Sequence, residues 1–169
     1  GAVLDQHPNK RAVTIVRLLI LTGARRGELM GAKWKDFDFD RGTWTKPAHT
    51  TKQKRTEYVP LNESAMQILK NWRETALLDA DYIFPGKIAG QPITEIKRFW
   101  DEVREAANLS DVRLHDLRHT FASHLVSNGI TLPIVGRLLG HTQSQTTQRY
   151  AHLADDPMRE ATEILSTKI

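Results

Sequence analysis

Apolar residues Val13, Val16, Leu18, Leu19, Ile20 and Leu21 crowd the stretch 11–21, a density that predicts a buried helix. Thr22-Gly23 stops it, since glycine suits the turn that closes a helix. A second helix is expected from about Arg26 to Lys33. The period then changes to alternation. Phe37, Phe39, Thr43, Trp44 and Thr45 flank Asp40-Arg41-Gly42, a hairpin turn, and Glu57-Tyr58-Val59-Pro60-Leu61 reads as a further strand ending at the proline. Between them lies a polar stretch, with Lys52-Gln53-Lys54-Arg55 expected at the tip of a basic hairpin. Helical spacing then resumes. Asn62 can cap a helix to about Glu74, and Asp81–Pro85 is a short extended piece. Thr94 can cap a helix with Ile96, Phe99, Trp100, Val103 and Ala107 inward. A helix from His115 or Asp116 to Val126 closes at Asn128-Gly129. Thr131 caps another, with Pro133 in its first turn and Gly140 at its end. Two final segments cover Gln145–Tyr150 and Pro157–Thr167. The pattern is α+β and mainly α: a helical bundle with a small antiparallel sheet on one edge.

Composition narrows the function. The 169 residues suit one domain or a large part of one, and 40% hydrophobic with 26% charged residues is ordinary for a globular chain. The absence of cysteine excludes disulfides, Cys-based zinc sites and a thiol nucleophile. No apolar run is long enough to cross a membrane and no signal-peptide pattern opens the chain, so a cytoplasmic setting is the default expectation. A net charge of +4 leaves a nucleic-acid partner open without requiring one. Residues 1–8 read as the remnant of a preceding segment.

Polar and basic residues cluster at element ends in four places: Thr22–Glu28, the Lys52 hairpin, His115–Thr120, and Leu138–His141 followed by Tyr150. Each has an ordinary explanation. A lone Arg is usually a solvated charge, a His-Asp pair at a helix start is usually a cap, and a His after a helix-ending glycine favours the helix dipole. His115 and Arg118 stand at i and i+3, and so share a helix face. Tyr58 and Tyr82 lie in apolar extended pieces where packing is expected, whereas Tyr150 follows the His141 turn amid polar residues.

As a set, LLILTGARRGELMGAKW, TKQKRTEYVPL, HDLRHTFASHL and LPIVGRLLGHTQSQTTQRYAH resemble the catalytic domain of the tyrosine recombinases, the phage integrase family, in the family's order and spacing. The resemblance implies that residues 1–169 are an integrase-type catalytic domain lacking the family's N-terminal core-binding domain. It makes Arg25 and Arg118 the two arginines, His115 the partner of Arg118, and Lys52 the hairpin lysine. His141 becomes the later histidine, Tyr150 the nucleophile, and Glu28 an acidic support for Arg25. Lys54 lies two residues beyond Lys52, on the same strand face; counting back from Val59-Pro60-Leu61 favours Lys52. Arg26, Lys54, Arg55 and Arg149 are the expected DNA contacts.

The implied activity is site-specific cleavage and rejoining of duplex DNA through a 3′-phosphotyrosine, with no cofactor, metal or ATP. Elementary chemistry is consistent with these roles. Guanidiniums clamp the charge that builds on non-bridging phosphate oxygens. A tyrosine needs nearby cations and a base, because its ordinary pKa is about 10. The implied partners are double-stranded attachment sites and a homotetramer on DNA joined through the tail helix 155–169, with a monomer in the absence of DNA. The setting is the cytoplasm, at the nucleoid. The tail's stripe of Met158, Ala161, Ile164 and Leu165 fits docking on a neighbour or on its own core equally well. Two other readings remain. One is relaxation of supercoils in the manner of a type IB topoisomerase. The other is a non-catalytic DNA-binding module built on Ile130–Arg149, which leaves Arg25, His115 and Arg118 unexplained. His115 and His119 have the i,i+4 spacing of zinc ligands, but Arg118 between them would repel a metal.

Overall fold

The computed structural model describes residues 2–75 and 80–154. The chain divides into two compact units, residues 1–121 and 122–169. Eight α-helices and three strands are present among the described residues: α1 (Ala2–Gln6), α2 (Lys10–Thr22), α3 (Arg26–Met30), β1 (Phe37–Asp38), β2 (Thr43–Lys46), β3 (Glu57–Pro60), α4 (Glu63–Thr75), α5 (Lys97–Ala106), α6 (Asp116–Ser127), α7 (Leu132–Leu138) and α8 (Ser144–Gln148). This is the mainly helical α+β architecture that the residue pattern predicts.

The first unit is organised around α2. Asn9 caps it by accepting the Ala12 N–H at 3.1 Å, and Gly23 closes it at φ +62°. Ala12, Val13, Ile15, Val16, Leu18, Leu19 and Thr22 are buried, whereas Ile20 is 36% exposed. The helical period explains the exception, because Ile20 points away from the face that the others share. Helices α3 and α4 pack on α2, and Leu69, Ile83, Phe84, Phe99, Val103 and Leu117 complete one core. Two indoles at its margin are satisfied by backbone: Trp72 Nε1 donates to the Ile83 carbonyl at 2.8 Å and Trp100 Nε1 to that of Val112 at 3.1 Å.

The strands form one antiparallel sheet in the order β1-β2-β3, with Phe37 opposite Trp44 and Trp44 opposite Val59. Phe37 and Trp44 stack at 5.2 Å between centroids. Asn62 does cap α4, accepting the Ala65 N–H at 2.9 Å.

Several expectations are corrected. Residues 2–6, for which the pattern predicts no element, form α1, whose Leu4 enters the core, and His7 beyond it sits edge-on to Phe99 at 4.6 Å. Helix α3 stops at Met30 rather than Lys33, because Gly31 follows and the backbone then runs out to pair Lys33 with Tyr82. Helix α5 begins at Lys97, with Ile96 rather than Thr94 at its N-cap. Tyr58 is not packed but 72% exposed, since β3 is an edge strand and Tyr58 faces away from Val59.

In the second unit α7 packs against α8. Pro133 lies in the first turn of α7 and Gly140 follows its end at φ +65°, both as the sequence predicts. The expected segment at Pro157–Thr167 lies outside the described residues.

Gly23 has no room for a side chain. A Cβ added there would meet the Phe121 ring at 2.4 Å in a conformation that L residues rarely adopt. Gly23→Ala should therefore lower unfolding stability by roughly 1–3 kcal/mol, read from urea denaturation; an unchanged midpoint would show that the ring moves aside freely.

Candidate active site

The turn after α2 and the start of α3 set the first arginine. Glu28 lies three residues into α3, so its carboxylate can reach back to the helix start. Its Oε2 accepts the backbone N–H of Arg25 at 3.3 Å, and its Oε1 accepts Arg25 Nη1 at 2.6 Å. The side chain of Glu28 is 3% exposed and that of Arg25 is 23% exposed. The ion pair therefore anchors the guanidinium from below and leaves part of it accessible.

A second cation reaches the same carboxylate. Lys46 Nζ, at the end of β2, donates to Glu28 Oε2 at 2.8 Å and lies 3.8 Å from Glu57 Oε2 and 4.8 Å from the Trp44 ring centroid. Lys46 is 1% exposed. Burial lowers its pKa, as does the Arg118 charge, while Glu28 and Glu57 act in the opposite sense. For Glu28, burial is the largest single influence and pushes the carboxyl up; the charges of Lys46 and Arg25 and their hydrogen bonds together outweigh it and hold the group below the usual carboxylate range. Glu28 is thus a buried carboxylate held ionised between two cations.

Arg118 comes from the first turn of α6 and is buried. Its Nη1 donates to the Gly23 carbonyl at 2.7 Å, which ties α6 to the turn that carries Arg25. Asp116 fixes the start of that helix by accepting the Arg113 backbone N–H at 2.8 Å and its Nη2 at 3.0 Å. Those bonds hold the Asp116 carboxyl below its usual range. His115, one residue before α6, keeps an exposed edge, and its ring meets His119 edge-on at 5.2 Å. Partial burial lowers its pKa, and the neighbouring His119 and Arg118 lower it further. His115 and Arg118 line one pocket of about 230 Å³ with Leu19, Ala24, Arg26 and Leu114.

The lysine expectation changes in detail. Residues 47–56 leave the sheet, so Lys52 and Lys54 do not share a strand face. The Thr51 hydroxyl donates to the Arg55 carbonyl at 2.8 Å and accepts its N–H at 3.1 Å, closing a tight turn in which Lys54 takes φ +52°. Lys52, Lys54 and Arg55 are all exposed on this turn, as is Arg26 at the start of α3.

The second unit holds the other two candidates. His141 follows Gly140, donates its N–H to the Gly136 carbonyl at 2.8 Å, and places Nδ1 2.9 Å from Thr147 Oγ1. Tyr150 is 5% exposed, and its N–H donates to the Thr147 carbonyl at 3.0 Å. Arg149 is exposed.

In the first unit, then, Arg25, Glu28, His115 and Arg118 gather where the α2–α3 turn meets the start of α6. Lys46 is the member that sequence reasoning missed. A signal existed: alternation along β2 puts Lys46 on the inward face of Trp44, two residues away. Breaking a buried ion pair by removing one partner typically costs about 3–5 kcal/mol, so Lys46→Met should destabilise the chain on that scale in urea unfolding. The double variant Lys46→Met/Glu28→Gln, which removes the buried carboxylate along with the lysine and leaves only the part-exposed Arg25 to be met by water, should be less destabilised than Lys46→Met alone; the reverse order would mean that the pair is not what holds this region.

The comparisons with known proteins agree with this geometry. A sequence model of the phage integrase family matches residues 3–156. The chain is 35% identical over 166 residues to the tyrosine recombinase XerC of Corynebacterium glutamicum, covering 95% of this chain and 53% of that protein. It is 33% identical over 165 residues to XerC of Staphylococcus epidermidis, covering 92% and 54%. The chain thus spans about half the length of the curated relatives it matches. Among solved structures, the catalytic domain of bacteriophage HP1 integrase superposes with a TM-score of 0.72 at 25% identity, over 96% of this chain and 86% of that one. The XerH site-specific recombinase, solved bound to its difH substrate, gives 0.74 at 25% identity, over 97% and 49%. With the family's sequence pattern running through nearly the whole chain and an integrase catalytic domain overlying its fold, this chain belongs to the phage integrase family of tyrosine recombinases.

Proposed function

We propose that the chain is the catalytic part of a site-specific recombinase that cuts and reseals duplex DNA through a covalent 3′-phosphotyrosine. The observation that carries the reading is the cluster in the first unit: two arginines, each fixed by a hydrogen bond to buried structure, beside a histidine whose surroundings favour its neutral form.

In the proposed step the phenolic oxygen of Tyr150 attacks phosphorus and the bond to the 5′-oxygen breaks. The phenolic proton passes to His115, and Lys52 gives a proton to the departing 5′-oxygen. Attack of a 5′-hydroxyl on the phosphotyrosine reverses these transfers. One phosphodiester is exchanged for another, so no ATP is consumed. Arg25 and Arg118 stabilise the charge on the non-bridging oxygens, and His141 donates a further hydrogen bond. Donors that need not reorganise contribute most to such catalysis, about 10²–10³-fold each. The exposed Arg26, Lys54, Arg55 and Arg149 would hold backbone phosphates. Support for DNA as partner comes from XerH, solved with its difH substrate. Four protomers would act on two duplexes at the nucleoid, joined through residues 155–169, which lie outside the described residues.

The first test is incubation with nicked duplexes and a search for a denaturation-resistant protein–DNA adduct. The adduct should form with the unsubstituted chain, vanish in Tyr150→Phe and persist in Tyr58→Phe and Tyr82→Phe; a phosphate mapped to Tyr58 or Tyr82 would overturn the assignment. The second is its pH dependence. A base must be neutral to accept a proton, and the pKa of His115 is lowered. Adduct formation should therefore rise through a value below the ordinary imidazole range and stay level above it, and His115→Asn should remove that limb. An acid limb at or above the ordinary imidazole value would contradict His115 as the base.

A further inference from the structure

We propose that Thr147 is a positioning residue that fixes His141 as the Nε2–H tautomer, so that a neutral imidazole offers a donor to the scissile phosphate. The inference deepens the strand-transfer reading and rests on it.

One buried hydroxyl sets the tautomer. Thr147 is 3% exposed, and His141 Nδ1, at 2.9 Å, is the hydrogen-bond partner of its Oγ1 among the described residues. A buried hydroxyl can donate one hydrogen, and leaving that hydrogen without an acceptor costs free energy. If Nδ1 carried a proton, it would donate to Oγ1 and strand the hydroxyl hydrogen. If Nδ1 is bare, the hydroxyl donates to it and both groups are satisfied. The second arrangement is favoured, and it puts the imidazole proton on Nε2. One ring nitrogen's hydrogen bond setting the state of the other is the general behaviour of histidine.

The surroundings make the contact specific. His141 is fixed at its backbone by the bond to the Gly136 carbonyl, and Gly136 also leaves the room that the hydroxyl occupies: a Cβ there would sit 2.9 Å from Thr147 Oγ1. The same threonine accepts the Tyr150 N–H through its carbonyl. Its side chain thus orients the histidine while its backbone shapes the turn that bears the nucleophile.

The test is long-range proton–nitrogen NMR of the DNA-free chain with ¹⁵N-labelled histidine, the signals being assigned with His141→Gln. The unsubstituted chain should show the Nε2–H tautomer for His141. Thr147→Val, which keeps the shape and loses the hydroxyl, should give a tautomer mixture, and Thr147→Ser should restore the single form. Gly136→Ala, which keeps the hydroxyl but displaces it, should resemble Thr147→Val. In cleavage of nicked duplexes, Thr147→Val should slow adduct formation by about 10-fold or more, short of the ~10²–10³-fold cost of deleting a donor outright, while Thr147→Ser stays within about 3-fold of the parent. An Nδ1–H tautomer in the parent chain, or an unchanged tautomer in Thr147→Val, would overturn the proposal. Failure of the parent chain to form any adduct would count against the strand-transfer reading, whereas the tautomer measurement needs no DNA and decides this inference by itself.

Discussion

The carboxylate of Glu28 is the interaction on which the candidate site depends. It is buried, and an isolated buried charge is too costly to persist, so cations must come to it. They come from two directions: Arg25 from the turn before α3 and Lys46 from the inward face of β2. Each carboxylate oxygen accepts one of them, which fixes the carboxylate in rotation as well as in place. Arg25 is therefore held from beneath by a bond that bound DNA would not need to make. In the proposed reaction, a guanidinium fixed in this way would be prepared for a phosphate before one arrives, the condition under which a charged donor is most effective.

Gly23 extends the same logic to Arg118. Its carbonyl lies at the C-terminal end of α2, where helix dipoles favour a cation. Arg118 supplies that cation from 95 residues away in sequence. Only a residue comfortable at positive φ can turn the chain there, and only one without a Cβ can do so against the Phe121 ring. The backbone turn that stops α2 thereby also joins the two arginine-bearing segments. Lys46 senses both, since it pairs with Glu28 and its charge is disfavoured by Arg118.

Much of this was legible in the sequence where local rules suffice. Asn62 marks the start of α4, Gly23 and Gly140 follow the ends of α2 and α7, and the alternation at Phe37 and Trp44 marks the sheet, each through a single residue's conformational preference or a period of two. The family motifs located Arg25, Glu28, His115 and Arg118, and the structure gathers these four in the first unit. The misreadings have a common cause: they depended on what a segment meets in space. Lys46 reads as a solvated lysine until its strand is given an inward face. Tyr58 reads as packed until β3 is known to be an edge. Leu4 makes α1 part of the core although the residue pattern predicts no element there. Lys52 and Lys54 read as sharing a strand face at a hairpin tip because periodicity cannot see the Thr51 hydroxyl closing a loop onto Arg55.

Burial divides the site residues by the work proposed for them. Glu28, Lys46 and Arg118 are buried and Arg25 is mostly so, and the hydrogen bonds described above for these four run to other parts of the same framework. Their proposed task is to hold charge still, and a framework that had to rearrange during the reaction would forfeit most of its benefit. His115 and Lys52 are exposed, one at the mouth of a helix and the other on an irregular turn. Their proposed task is to take up and release protons, which requires access to oxygens that change partners. The lowered pKa of His115 fits this division: partial burial first, then the neighbouring His119 and the fixed Arg118, discourage a positive charge there, which suits the proposed task of accepting a proton.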